Sequence, residues 1–294
     1  MLELLAPAGE IPGIGVRIVA AIAFTSAAAY FDIFNKRWVP NWLVYSFVAV
    51  AVLLNTVFFS ETVFIQSIVF GAAMFLLTYP IYKLGQLGGA DVYVFAAIAA
   101  TIPYLPKPLL TNTPSAPYPF IFSVLVPTGL LFILHMAFRF IPYIWQKIAK
   151  HQIKIGPAQA AGPIFILIAF TAFTYSLPRF PFPLPLSYLA TVYFLMASLV
   201  FFSLFKSEIK ASMVESIKVR DLQEEDVLAI EQMDQELVRR LGLKPLIDKQ
   251  TIVMLSKAKV KTAPVYTGMP AFLPYLLFGL LFTVLFGDML CYLL

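Results

Sequence analysis

The sequence predicts an all-α membrane protein, a bundle of about eight transmembrane helices with a small cytoplasmic α+β insert. Composition is the first observation behind this prediction: 60% of the 294 residues are hydrophobic and 13% are charged, against about 45–50% and about 25% in soluble domains. The second is the length of the apolar runs, which can cross a hydrocarbon core of about 30 Å as helices. The alternation typical of transmembrane barrel strands is absent.

Eight apolar runs predict the helices. They lie at 14–34, 40–59, 62–82, 91–106, 119–141, 161–178, 186–205 and 268–292. The sixth and seventh are separated by a proline-rich loop, because proline lacks the N–H donor and clashes with the preceding helical turn. We therefore divide the chain into a helical bundle over 1–205, a polar insert over 206–266, and a last transmembrane helix over 267–294 that completes the bundle.

The basic residues orient this bundle. If the N-terminus is outside, most Lys and Arg lie in the insert and in the loops that follow the first, third and fifth spans, on the cytoplasmic side that the positive-inside rule assigns to them. Arg17, Lys107 and Arg179 then lie outside or near the outer interface. The N-terminus lacks the basic segment of a cleavable signal peptide. We expect a multi-pass protein of the cell membrane with both termini outside.

The insert has the mixed charges of a soluble segment. Residues 215–222 alternate as a strand does, and 224–241 have helical spacing that Gly242 would end. A second helix is predicted over 248–258, with Asp248 as its cap. Two interpretations of the insert remain open: a solvated connector, or a domain that docks the substrate.

Two aspartates are the candidate functional residues. Outside the insert, the acidic residues are Glu3, Glu10, Asp32, Glu61, Asp91 and Asp288. In the predicted topology only Asp32, at the end of the first span, and Asp91, at the start of the fourth, lie at the cytoplasmic face. Ionisable groups at membrane depth are costly and usually functional, and two converging carboxylates are the minimum equipment of an aspartyl protease.

A structural interpretation of these aspartates is also open. Each one can cap a helix or pair with a basic loop residue, Asp32 with Lys36 or Arg37 and Asp91 with Lys83. Two histidines and one cysteine are too few for a histidine-based or multi-cysteine metal centre, so we expect no metal and no cofactor.

Three sequence elements carry a resemblance to a known family. They are Asp32 followed by Arg37-x-Val39-Pro40-Asn41, then Gly88-Gly89-Ala90-Asp91, and then Gly268-Met-Pro270-Ala-Phe272-Leu-Pro274. In this order they resemble the type IV prepilin peptidases, and in particular the archaeal preflagellin peptidases, which are intramembrane aspartyl proteases with a GxGD-like motif. The resemblance covers about 14–106 and 206–292. Its six-helix core is smaller than the eight predicted spans, which implies an elaborated or divergent member.

The resemblance implies an activity and a set of site residues. Asp32 and Asp91 would be catalytic. Residues that form the motifs or position the substrate would be Gly88, Gly89, Ala90, Arg37, Pro40, Asn41, Pro270, Phe272 and Pro274. The enzyme would remove a short basic leader from type IV pilin-like or archaellin precursors beside the lipid bilayer, without a nucleic-acid partner and without N-methyltransferase activity. Tyr93 stands where the family often has lysine.

Two other functions fit the sequence less closely. A presenilin-like protease of other substrates would also use two aspartates, but the Arg37-x-Val-Pro-Asn element favours the prepilin peptidases. A proton-coupled transporter would also hold intramembrane carboxylates, but it would usually show internal repeats, and the sequence has no convincing repeat.

Overall fold

The computed structural model describes residues 10–35, 38–112, 118–153, 156–176, 186–224, 226–258, 260–267 and 270–293. It is a helical membrane protein with a small α+β insert, as the sequence predicts. The loop predicted between the sixth and seventh spans lies outside the described residues.

Each predicted span contains a helix. In chain order, the elements are α1 (Ile14–Phe34), α2 (Asn41–Val57), α3 (Glu61–Lys83), α4 (Gly89–Thr101), α5 (Phe120–Ala149), α6 (Pro157–Ser176), α7 (Leu186–Leu204), α8 (Lys206–Ser212), β1 (Val214–Lys218), α9 (Gln235–Leu241), α10 (Lys249–Lys257), β2 (Thr262–Tyr266), α11 (Leu273–Phe286) and α12 (Leu290–Leu293). Within the described residues, α1, α3 and α5 are each long and apolar enough to cross a membrane alone. The bent pair of α7 and α8 is a fourth candidate, and α2, α4, α6 and α11 are shorter apolar helices.

Several helix ends differ from the prediction. α5 continues to Ala149, beyond the predicted end at 141. α4 ends at Thr101 instead of 106, because Ile102 precedes a proline and takes an extended backbone (φ −129°, ψ 92°). The last predicted span, 268–292, is broken into α11 and α12 at Gly287, where φ is 87°.

Two compact units divide the chain. The first comprises Met1–Thr128 and Met213–Asp288, and the second comprises Gly129–Ser212 and Met289–Leu294. In the second unit α6 packs against α7, where the rings of Phe170 and Tyr193 lie 5.2 Å apart.

α4 is the central helix of the first unit. It packs against α1, α2 and α3, while α1 also packs against α11. Buried residues occur all round α4, and a helix that is hydrophobic on every side is one that other helices enclose. The aspartate that opens α4 is therefore carried into the interior of the unit.

The insert has its own small core. β1 and β2 pair antiparallel, with Val214 opposite Tyr266, and buried Leu228, Ile247 and Leu255 pack beneath them. α10 begins after Asp248, whose Oδ1 accepts the N–H of Thr251 at 2.7 Å, as predicted.

The helix predicted over 224–241 is wrong for most of its length. Only Gln235–Leu241 is α-helical, and Gly242 ends it with φ 60°. Ahead of this helix, Val227 and Leu228 form bridges with Leu246 and Val265. Pairing with distant strand-like segments has overridden the local helical spacing.

Candidate active site

Asp32 lies in the last turn of α1 and is 7% exposed. Its Oδ2 accepts the backbone N–H of Leu273, the first residue of α11, at 3.1 Å. The first N–H groups of a helix have no partner within the helix, and the positive end of the helix dipole attracts an anion. The start of α11 therefore binds and orients the Asp32 carboxylate.

Asp91 is the third residue of α4 and is also 7% exposed. Its Oδ2 accepts the backbone N–H of Gly88, the residue before the helix, at 3.0 Å. The bond spans three residues, so the carboxylate folds back over the start of its own helix. This geometry fixes one carboxylate oxygen and aims the side chain along the end of the bundle.

The two carboxylates act on each other electrostatically. Asp32 arrives from the end of one helix and Asp91 from the start of another, so α1 and α4 bring them to the same end of the first unit. Lys83, the basic partner considered for Asp91, forms no ion pair with it; its ammonium lies over the rings of Tyr79 and Tyr82, at 5.2 and 5.3 Å. Lys36 and Arg37 lie outside the described residues.

The glycines before Asp91 occupy three different backbone environments. Gly89 and Ala90 are the first two residues of α4, and Gly88 has φ −71° and ψ 150°, angles that any residue can adopt. The space at Gly88 is tight, because a β-carbon there would lie 3.0 Å from Oδ2 of Asp91. Gly89 is helical. The left-handed conformation belongs to Gly85, with φ 70°.

The third motif forms the start of α11. Pro270 lies just ahead of the helix, Phe272 caps it, and Pro274 is its second residue, where a missing N–H costs nothing. The ring of Phe272 lies 5.7 Å from that of Phe95 on α4. The motif therefore connects the helix that binds Asp32 with the helix that carries Asp91. Gly268 and Met269 lie outside the described residues.

The first motif is only partly near the aspartates. Pro40 is buried and caps α2, whereas Asn41 is the exposed first residue of that helix and forms no hydrogen bond with Asp32 or Asp91. Among the described residues, no group of three or more His, Cys, Asp and Glu side chains is placed to hold a metal ion.

Sequence reasoning missed three participants: the N–H of Leu273, the ring of Phe95 and the left-handed Gly85. The backbone donor leaves no signal in a sequence, because every residue except proline has one. Gly85 could have been inferred from the sequence, because it follows the third apolar run and glycine is common just after the C-cap of a helix.

Comparison with protein families assigns the chain to a known family. A model of the type IV leader peptidase family matches residues 19–205, which include Asp32 and Asp91, and the chain belongs to that family. The match runs through 107–205, which the motif resemblance did not cover, and stops before the insert and α11. Comparison with curated proteins and with solved structures found no match.

Proposed function

We propose that this member of the type IV leader peptidase family is an aspartyl endopeptidase. It removes the short basic leader from type IV prepilin-like or preflagellin (archaellin) precursors at the cytoplasmic face of the cell membrane. The observation that carries this proposal is the pair of buried carboxylates, Asp32 and Asp91, which interact at one end of the bundle and both lie within the family match.

The chemistry is general acid–base hydrolysis. Two carboxylates held close share one proton, because both cannot easily be ionised together. The ionised carboxylate takes a proton from water, the resulting hydroxide attacks the scissile carbonyl carbon, and the protonated carboxyl donates to the leaving amine as the C–N bond breaks. Each carboxylate has one oxygen that accepts a backbone N–H, and this bond orients the side chain for proton transfer with the water. The acid and base roles belong to the coupled pair.

The membrane placement of the site supports this substrate class. Large aromatic side chains are exposed around the Asp32 end, namely Tyr30, Phe34, Trp38, Trp42 and Tyr45. Trp and Tyr favour the level of the lipid headgroups, so the dyad would lie at a membrane interface. A leader joined to an apolar helix meets an active site at that depth, and an acidic pair attracts a basic leader.

The test replaces each aspartate with its neutral isostere. Asp32→Asn and Asp91→Asn should each lower the cleavage rate by roughly 10²–10⁴-fold, because one carboxylate cannot supply both acid and base. The substrate is a purified type IV prepilin-type precursor, reconstituted with the enzyme in vesicles of phosphatidylethanolamine and phosphatidylglycerol.

The matched control is Asp288→Asn, which neutralises another buried carboxylate of the same unit, one that the Tyr118 hydroxyl contacts. This control should cleave at the native rate. Full cleavage by either Asp32→Asn or Asp91→Asn would refute the dyad.

A further inference from the structure

The insert contacts the loop that leads to Asp91. α3 ends at Lys83, and Gly85 follows in the left-handed conformation with φ 70°. The N–H of Gly85 binds the carbonyl of Tyr82 at 2.8 Å, and the N–H of Gln86 binds that of Ile81 at 3.1 Å. These two bonds form a Schellman motif, which fixes the direction in which the chain leaves α3 toward α4.

Gly85 is buried by the insert. A β-carbon at Gly85 would lie 3.0 Å from Cγ1 of Val227 and 3.6 Å from Cβ of Pro245. The contact is therefore close enough that only glycine fits without displacement of a neighbour. Glycine is required here twice, by its backbone conformation and by the space that the insert leaves.

The contacting residues are firmly held within the insert. The N–H of Leu228 binds the carbonyl of Pro245 at 2.7 Å, and the N–H of Tyr266 binds the carbonyl of Val227 at 2.9 Å. Val227 and Pro245 thus belong to one hydrogen-bonded framework with β2. Because this framework is built on the insert core, it presents a firm surface to the α3–α4 loop.

The insert also leads to the other aspartate. β2 ends at Tyr266, the N–H of Thr267 still pairs with the carbonyl of Met213 at 3.0 Å, and α11 begins at Leu273. Leu273 is the residue whose N–H binds Asp32. One small domain therefore contacts the segment just before Asp91 and precedes, in the chain, the helix that binds Asp32.

We infer that the insert is a positioning domain for the aspartate pair, and that Val227 and Pro245 are positioning residues that act through Gly85. This inference rests on the proposed function. By holding the loop ahead of α4, in a unit where α11 binds Asp32, the insert fixes Asp91 relative to Asp32. A misplacement of about 1 Å in such a site can cost on the order of 100-fold in rate.

The experiment adds a methyl group at Gly85 and then removes its obstacle. Gly85→Ala should lower kcat for the reconstituted prepilin-type precursor by on the order of tenfold or more, with KM changed by less than about twofold, because catalytic geometry is lost while substrate binding is kept. In Gly85→Ala/Val227→Ala most of the loss should be recovered. Together with Val227→Ala, these variants form a double-mutant cycle that isolates the contact.

Gly242→Ala is the matched control for backbone strain. Gly242 lies in the insert and, like Gly85, has a left-handed backbone (φ 60°), but a β-carbon there would meet nothing within 4 Å. This variant should lose some thermal stability and keep the native kcat. An equal loss of kcat in Gly242→Ala and Gly85→Ala would overturn the inference, because strain alone would then explain the effect.

A second approach to the same contact starts from the insert. Val227→Phe enlarges the side chain that faces Gly85 and leaves the conformation at Gly85 without added strain, so it tests the contact even if Gly85→Ala does not fold. It should also lower kcat, whereas Val253→Phe, at a half-exposed position of α10, should not. If Gly85→Ala and Val227→Phe both keep the native kcat while Asp91→Asn is inactive, the positioning role is refuted and the proposed function stands. Active Asp32→Asn and Asp91→Asn would instead refute the proposed function.

Discussion

At one end of α1 a single buried cation is surrounded by oxygen atoms, whereas at the other end two buried carboxylates act on each other. Arg17 and Asp32 lie on the same buried face of this helix, separated by Ala21, Thr25 and Ala28. The spacing of three and four residues keeps them in one line. α1 therefore carries buried charge of opposite sign near its two ends.

At the arginine end, most N–H groups of the guanidinium have a hydrogen-bond acceptor. The guanidinium donates to Pro12 O at 3.0 Å, Asn55 Oδ1 at 2.8 Å, Thr101 O at 2.9 Å and Leu54 O at 3.2 Å. The carbonyls of Leu54 and Thr101 lie in the last turns of α2 and α4, where the helix dipole favours a cation. Arg17 thereby fastens the ends of three helices together.

The aspartate end keeps like charges together instead. Each carboxylate has one backbone N–H bond, and the two repel each other when both are ionised. Such an arrangement does not stabilise the fold, and unfavourable electrostatics of this kind concentrate at functional sites. In this comparison, the buried cation with acceptors for most of its N–H groups stabilises the structure, whereas we propose that the buried pair of carboxylates serves catalysis.

Loss of the arginine should have the largest effect on stability. Arg17→Met removes the donor of four hydrogen bonds, and each buried acceptor that is left without any partner costs about 1–3 kcal/mol. We expect a large fall in the melting temperature of the detergent-solubilised protein. Arg17→Lys keeps the charge but lacks the planar fork of donors, so it should lie between the native protein and Arg17→Met. An Arg17→Met protein as stable as the native one would remove the structural half of the comparison.

At Gly88, beside Asp91, a substitution should affect catalysis and leave stability nearly unchanged, in contrast to the Arg17 variants. Gly88→Ser supplies a favourable N-cap side chain for α4, but its β-carbon would crowd Oδ2 of Asp91. We expect unchanged or slightly raised thermal stability together with a fall in kcat of roughly 10- to 100-fold. Gly129→Ser is the control, since a β-carbon there meets nothing within 4 Å. Native kcat in Gly88→Ser would show that the carboxylate tolerates crowding.

Single cysteine substitutions, which should perturb the protein least, test which side of the membrane the arginine end and the aspartate end face. In a Cys291→Ser background, cysteine is introduced at exposed Glu61, at the start of α3 near the arginine end, or at exposed Gln86, between α3 and α4 near the aspartate end. An impermeant thiol reagent should label the Glu61→Cys protein in intact cells and the Gln86→Cys protein only after the membrane is opened. The reverse pattern would place the dyad outside the cytoplasm.

Some features of both ends were readable in the sequence and others were not. Asp32 and Asp91 stand out because acidic residues are rare beside apolar runs. The line of Arg17, Ala21, Thr25, Ala28 and Asp32 is equally visible as a helical period, but the sequence did not indicate that Arg17 is completely buried among neighbouring helices. The period reveals a shared face, but it does not reveal which neighbouring helix covers that face.

The insert gives the opposite lesson. Its helical spacing over 224–241 predicted one helix, but Val227 and Leu228 pair with segments that follow much later in the chain. Asp248 and Gly242 were predicted correctly because a helix cap depends on neighbours within a few residues. Signals that act locally were sufficient, and those that depend on distant pairing were not.

The sequence by itself determined the membrane class, the eight apolar helices, the presence of the insert and the two aspartates, because composition and helical periodicity act locally. Only the tertiary structure decided which atoms satisfy the buried charges. Arg17 reaches partners up to 84 residues away, and Asp32 binds an N–H that is 241 residues away. These partners are mainly backbone groups, which every residue carries alike, so their selection depends on how the helices pack and leaves no mark in the sequence.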